Sequence, residues 1–127
     1  MNPYKYIPVA KEIFFLEREE CDYVKRSYHV SLVIVNKSII GIGTNNRKSH
    51  PYMMIYGRNR IMMHSEVAAF MSARFISDKP KTLINFRFNN NGDLRLSRPC
   101  KDCLPLCLDE FSTVYYTTNY NTIERLF

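Results

Sequence analysis

Residues 28 to 43 constrain the fold more than any other stretch of the chain. Tyr28-His29-Val30-Ser31-Leu32-Val33-Ile34-Val35 is rich in β-branched side chains, Asn36-Lys37 breaks it, and Ser38-Ile39-Ile40-Gly41-Ile42-Gly43 is a second apolar run. Two such runs around a tight turn predict a β-hairpin. What surrounds the hairpin is helical in period. After Pro8, apolar residues at Ala10, Ile13, Phe14, Cys21 and Val24 with charges between them predict an amphipathic helix of about four turns. His64 to Phe75 resumes helical spacing, with Val67, Ala68, Phe70, Met71 and Phe75 for a buried face. Thr82 to Phe88 alternates as a strand, and Asn89 to Asp93 is a turn. Cys100 to Phe111 follows Pro99 as a helix with a kink expected at Pro105, and Thr113 to Thr117 is the last clear strand. Helix, two strands, helix, strand, helix, strand implies an α/β architecture. One sheet carries helices on its faces, and its later strands are parallel.

With 127 residues, the expectation is one domain over 1–127. Hydrophobic residues at 46% and charged ones at 24% argue against disorder. The longest apolar runs are strand-sized, which excludes a membrane helix. The segment Met1-Asn2-Pro3-Tyr4-Lys5-Tyr6 lacks the pattern of a secretory signal, so a cytoplasmic, reducing location is expected. There Cys21, Cys100, Cys103 and Cys107 read as thiolates or buried thiols and not as disulfides. A net charge of +6 favours phosphate-bearing partners: nucleotides, single strands or RNA.

Two short strings carry the chemistry: His64-Ser65-Glu66 and Pro99-Cys100-Lys101-Asp102-Cys103. A catalytic zinc takes three protein ligands and leaves one position for water, and His64, Cys100 and Cys103 meet that count. Cys100 and Cys103, three apart in a first helical turn, can aim both sulfurs at one point. Glu66 stands two residues from His64, leaves the helix in another direction, and is free to move protons. The alternative is a closed zinc site that only staples the fold, with Cys107 as fourth ligand. Cys107 lies a full turn beyond Cys103, about 6 Å further along the axis, and reads as core. His29 and His50 have no partner at ligand spacing.

The joint H-x-E and P-C-x-x-C pattern resembles that of the cytidine and deoxycytidylate deaminase superfamily, in the branch with histidine as first ligand. The likeness runs from about His29 to Thr118. It implies a three-layer fold with a mixed central sheet of four to five strands flanked by helices. It also implies one catalytic zinc, with a bound water or hydroxide, on His64, Cys100 and Cys103. In that chemistry Glu66 takes a proton from the water and delivers protons to the ring nitrogen and the departing ammonia. The branch includes deoxycytidylate, tRNA-adenosine and nucleic-acid cytosine deaminases. Cytosine in a nucleoside or nucleotide is the first expectation. Cytosine or adenine in single-stranded DNA or RNA is the alternative, and a non-catalytic binding protein, disfavoured by Glu66, is the third.

Gly41-Ile42-Gly43-Thr44-Asn45 resembles the strand end where the family places an asparagine on the substrate sugar. This implies Asn45, or Asn46 if the alignment shifts by one, as a substrate contact, with Tyr115 or Tyr116 walling the base pocket. Arg47-Lys48-Ser49-His50-Pro51, Arg98-Pro99-Cys100 and Val114-Tyr115-Tyr116-Thr117 resemble small single-domain bacterial and viral members. The chain departs from the commoner His-Ala-Glu at Ser65. It also ends where many relatives add a fifth strand and a helix, so residues 119–127 are expected to form only a short appendage beside a more open cleft. The loop from Asn45 to Met63 has no acidic residue and holds Arg47, Lys48, Tyr52, Tyr56, Arg58 and Arg60. It reads either as a lid or as a basic, aromatic surface for a nucleic acid. Relatives associate through helical faces, which implies a homo-oligomer.

Overall fold

The computed structural model describes residues 1–20, 27–45 and 64–127. Asn46 and the remainder of the basic loop, together with Cys21 and Val24, lie outside the described residues. A 3-10 turn at Pro3–Tyr6 leads into helix α1 (Ile7–Glu20). The hairpin β1 (Tyr28–Val35) and β2 (Ser38–Thr44) follows. Next come α2 (Ser65–Ala73), β3 (Thr82–Phe88), α3 (Leu104–Glu110), β4 (Thr113–Thr117) and β5 (Ile123–Arg125). The sheet order is β2-β1-β3-β4-β5. β3 and β4 run parallel, while β1 pairs antiparallel with both β2 and β3 and β5 pairs antiparallel with β4.

The turn at Asn36 and Lys37 is as tight as the sequence predicts, with φ of 51° and 69°. Two positive values match the twist of a two-residue hairpin, although only Asn36 belongs to the residues that adopt them readily. Alternation along the central strands then sorts side chains into two layers. Val30, Leu32 and Ile34 of β1 and Ile84, Phe86 and Phe88 of β3 meet Ala10 and Phe14 of α1. Phe14 stacks on Phe88 at 5.0 Å and meets Tyr28 edge-on at 5.2 Å. Its complete burial is worth roughly 2–3 kcal/mol. Val33 and Leu83 point the other way, onto Val67, Phe70, Leu106 and Cys107 of α2 and α3. The result is the expected three layers: α1, the mixed sheet, then α2 with α3.

Two expectations are corrected. The cysteines are not in the first turn of a helix begun at Pro99. They bracket a separate turn, with the amides of Cys103 and Leu104 both donating to the Cys100 carbonyl, and α3 starts at Leu104. Pro105 therefore falls in the first turn of α3, where its missing N–H has no partner to lose, and no kink is needed. The second correction concerns residues 119–127. A turn with Asn121 at φ 60° sends Ile123–Arg125 back along β4 as a fifth strand. The Ile123 amide donates to the Tyr4 hydroxyl at 3.0 Å, tying this edge to the start of the chain.

α2 lies unusually close to β2. A Cβ placed on Gly43 would stand 2.3 Å from both the Ser65 carbonyl oxygen and the Ala69 nitrogen. Only glycine leaves room there. Among the described residues no helix is long and apolar enough to cross a membrane.

Candidate active site

His64 is the residue before α2, in extended conformation (φ −76°, ψ 154°), and its side chain makes no cap hydrogen bond. The close seat of α2 on Gly43 aims it at the turn between the two cysteines. His64 Nδ1 lies 3.6 Å from Cys100 Sγ and 3.2 Å from Cys103 Sγ, and the three ligand atoms lie within 4.8 Å of one another. Zinc bonds of about 2.1 Å to nitrogen and about 2.3 Å to sulfur, at a tetrahedral angle, would separate the two atoms by about 3.6 Å. Both nitrogen–sulfur separations therefore fit one zinc ion within a few tenths of an ångström. Glu66 and Cys107 are outside this group.

The thiols differ sharply. The hydrogen bond from Cys103 and the nearby His64 draw Cys100 down to about 4 against the effect of its burial. Cys103 is the donor of that bond and is buried, and both effects push it up. Burial pushes Cys107 up as well, so it remains a protonated core thiol among Leu106, Phe111 and Val114. This agrees with its reading as core.

A cavity of about 180 Å³ opens beside the group, lined by His64, Ser65, Glu66 and Cys100 together with His29, Asn45, Ser97 and Arg98. That is below the ~300–1,000 Å³ of drug-sized sites and suits a single ring. Glu66 is only 6% exposed. Burial is the largest influence on its carboxyl and raises it above the ordinary carboxylate range, against the backbone, His64 and Ser65, which lower it. Burial thus favours the protonated form of this carboxyl over the charged one.

Behind Glu66 runs a buried polar chain. Ser65 Oγ donates to Glu66 Oε1 at 3.2 Å, and Ser31 Oγ lies 2.7 Å from Ser65 Oγ and 2.6 Å from Asn85 Oδ1. The Asn85 amide nitrogen donates to the Ser97 carbonyl at 3.4 Å, which turns its oxygen toward Ser31. Ser97 Oγ donates to the Asn85 carbonyl at 2.8 Å and accepts from the Thr117 amide at 2.7 Å. The chain joins α2, β1, β3 and β4 across one face of the sheet.

No protein-family model matches this chain, and no curated protein matches it in sequence. Solved structures do match it in shape. The dCMP deaminase of the cyanophage S-TIM5, in complex with dCMP and dUMP, superposes with a TM-score of 0.57 at 21% identity. That match covers 91% of this chain and 82% of the other. Cytidine deaminase from Mycobacterium leprae gives a TM-score of 0.59 at 13% identity, covering 93% and 91%. The chain has the cytidine deaminase fold.

On this fold His64, Glu66, Cys100 and Asn45 line one cavity, and Cys103 is grouped with His64 and Cys100. Asn45 follows β2 directly, and its Oδ1 accepts the His29 amide at 3.0 Å, so the side chain is held in place at the cavity edge. The tyrosines do not join them. Tyr115 packs against the core on the α1 side of the sheet. The Tyr116 hydroxyl donates to Glu124 of β5 at 3.0 Å, and neither ring lines the cavity. Tyr116 is also a neighbour of Arg98, which does line the cavity. Sequence reasoning passed over His29, Ser97 and Arg98 as lining residues. For Arg98 the signal was its place beside Pro99-Cys100, while His29 becomes visible only once β1 is seen to start at the cavity.

Proposed function

We propose that this protein is a zinc-dependent deaminase that hydrolyses the exocyclic amine of cytosine in a free nucleotide, yielding the uracil compound and ammonia. The observation that carries the reading is the cavity in which the buried carboxyl of Glu66 stands beside the group His64, Cys100 and Cys103. His64, Cys100 and Cys103 would hold the zinc, which would supply the Lewis acidity that makes a water a nucleophile. Glu66 takes the two protons of the attacking water in turn, passing the first to N3 of the ring and, once the oxygen is bonded to C4, the second to the departing amine. The water oxygen bonds to C4, the C4–N4 bond breaks, and ammonia leaves.

Asn45 orients the sugar from the cavity edge. Arg98, exposed at the same cavity, gives a monophosphate a cationic partner, which favours a nucleotide over a nucleoside. The cyanophage neighbour, held with dCMP and dUMP, supports the same choice. Free thiols at Cys100, Cys103 and Cys107 suit a reducing, cytoplasmic setting.

The test is ammonia release by the zinc-loaded chain from cytidine, deoxycytidine, their monophosphates, adenosine, single-stranded DNA and tRNA, with Glu66→Ala as blank. Turnover of a cytosine monophosphate ahead of its nucleoside is expected. Turnover confined to polynucleotides, or none above the blank, would overturn the proposal.

A further inference from the structure

Buried hydroxyls inside an apolar layer are expensive unless each is bonded, and they need a reason to be there. Ser31 is the polar interruption of β1 and Asn85 that of β3, directly opposite each other in the sheet register. Both are at most 2% exposed; Ser31 reaches the residue before Glu66 on α2, and Asn85 reaches Ser31. Ser65, itself 1% exposed, is the link. The mechanism above uses none of the three.

We propose that Ser65, Ser31 and Asn85 are positioning residues that hold the Glu66 carboxyl through a relay of hydroxyls, an inference that rests on the proton-carrying role of Glu66 proposed above. The geometry makes the case. A hydroxyl has one hydrogen to give, so the three contacts have two hydrogen arrangements on the same heavy atoms. In both, Ser65 donates to Glu66, while Ser31 gives its hydrogen to Ser65 in one and to Asn85 in the other. Oε1 thus keeps its partner at 3.2 Å in either arrangement. The far end does not move with it, because Asn85 is clamped by Ser97, and Ser97 by Thr117. An alanine at position 65 would leave the carboxyl without this lateral hold.

The experiment uses the zinc-loaded full chain with deoxycytidine monophosphate, and has two readouts. Kinetically, Ser65→Ala and Ser31→Ala should each lower kcat about tenfold, the size of one hydrogen bond to a reacting group, with KM and zinc content unchanged. The double variant should be no slower than either single one, because both cut the same chain. Ser31→Thr, which keeps a hydroxyl in the strand, should recover most of the rate. Spectroscopically, the infrared carboxyl band of Glu66, isolated as the difference between the protein and its Glu66→Gln variant, should shift in Ser31→Ala although Ser31 does not touch Glu66.

A band that stays put in Ser31→Ala overturns the relay whatever the activity. So do rate losses that add in the double variant, or a Ser31→Thr protein as slow as Ser31→Ala, since either marks a packing defect. A wild-type protein that deaminates nothing overturns the role of Glu66, and the catalytic purpose of the relay with it. The infrared shift then reports separately whether the hydroxyls hold the carboxyl.

Discussion

Gly43→Ala is the sharpest test of how the fold positions the site. The added methyl meets backbone: 2.3 Å to the Ser65 oxygen, 2.3 Å to the Ala69 nitrogen and 2.9 Å to the Ala68 carbonyl carbon. None of these can rotate aside. Ordinary contact begins at 3.4 Å, so α2 has to retreat from β2 by about 1 Å, the difference between 3.4 and 2.3. Overpacking of that size costs about 1–3 kcal/mol. For a chain of this length it should lower Tm by roughly 5–15 °C. The retreat begins at the residues that matter most, because Ser65 lies between His64 and Glu66. Metal sites tolerate displacements of only ~0.2 Å in their ligand distances, so zinc affinity should fall at least tenfold.

Thermal denaturation of the zinc-loaded and chelator-stripped proteins, with zinc affinity from competition against a chromophoric chelator, reads both effects. Gly41→Ala is the control. Its methyl would press on Ala73 Cβ at 2.7 Å and on Ala69 and Ser72 oxygens at 2.8 and 2.9 Å, at the far end of α2. It should lose stability and retain most of its zinc affinity. A Gly43→Ala protein with wild-type Tm and wild-type zinc affinity would refute the claim that α2 is seated by this contact.

Other expectations follow from single contacts. Glu66→Gln should keep one zinc per chain by metal analysis and lose at least ~10²-fold in kcat, the usual yield of a positioned general acid–base group. Cys103→Ala should bind no zinc at micromolar metal. Cys107→Ala should bind it normally and lose about 1–2 kcal/mol in denaturant unfolding, as a small cavity in the α2–α3 layer. Lys37→Gly should raise stability by about 0.5–1 kcal/mol, because glycine adopts the φ of 69° at that turn without the Cβ strain that lysine bears.

The elements were legible wherever period and burial agreed. β1, the Asn36-Lys37 turn, β3 and β4 fall where the apolar runs place them, because a strand covered on both faces needs little beyond a run of branched and aromatic side chains. The misreadings lie where tertiary contacts decide. Nothing local separates a helix begun at Cys100 from a turn closed on the Cys100 carbonyl and a helix begun at Leu104, since both satisfy the same spacing. β5 is three residues long and gains its stability from β4 and from Tyr4, more than a hundred residues away in sequence. A window of nine residues cannot contain that information.

The site was legible in a different sense. His64, Glu66, Cys100 and Cys103 are visible as a pattern because the chemistry fixes residue types and their local spacing. Residues that act on the site from neighbouring strands carry no such pattern. Tyr115 and Tyr116, given by likeness alone, pack where β4 meets α1 and β5. The better signal was already printed in the strands as a fault in their apolar run. β1 admits Ser31 between Val30 and Leu32, and β3 admits Asn85 between Ile84 and Phe86, each with apolar neighbours that are no more than 1% exposed. A polar residue in such a place is costly, so it marks where the sheet passes beneath something that must be bonded. Here the two faults are register partners, and they lie under Ser65 and Glu66. Paired polar breaks in adjacent buried strands therefore locate the site from the sheet side, independently of the metal motif, and they do so before any helix has been placed.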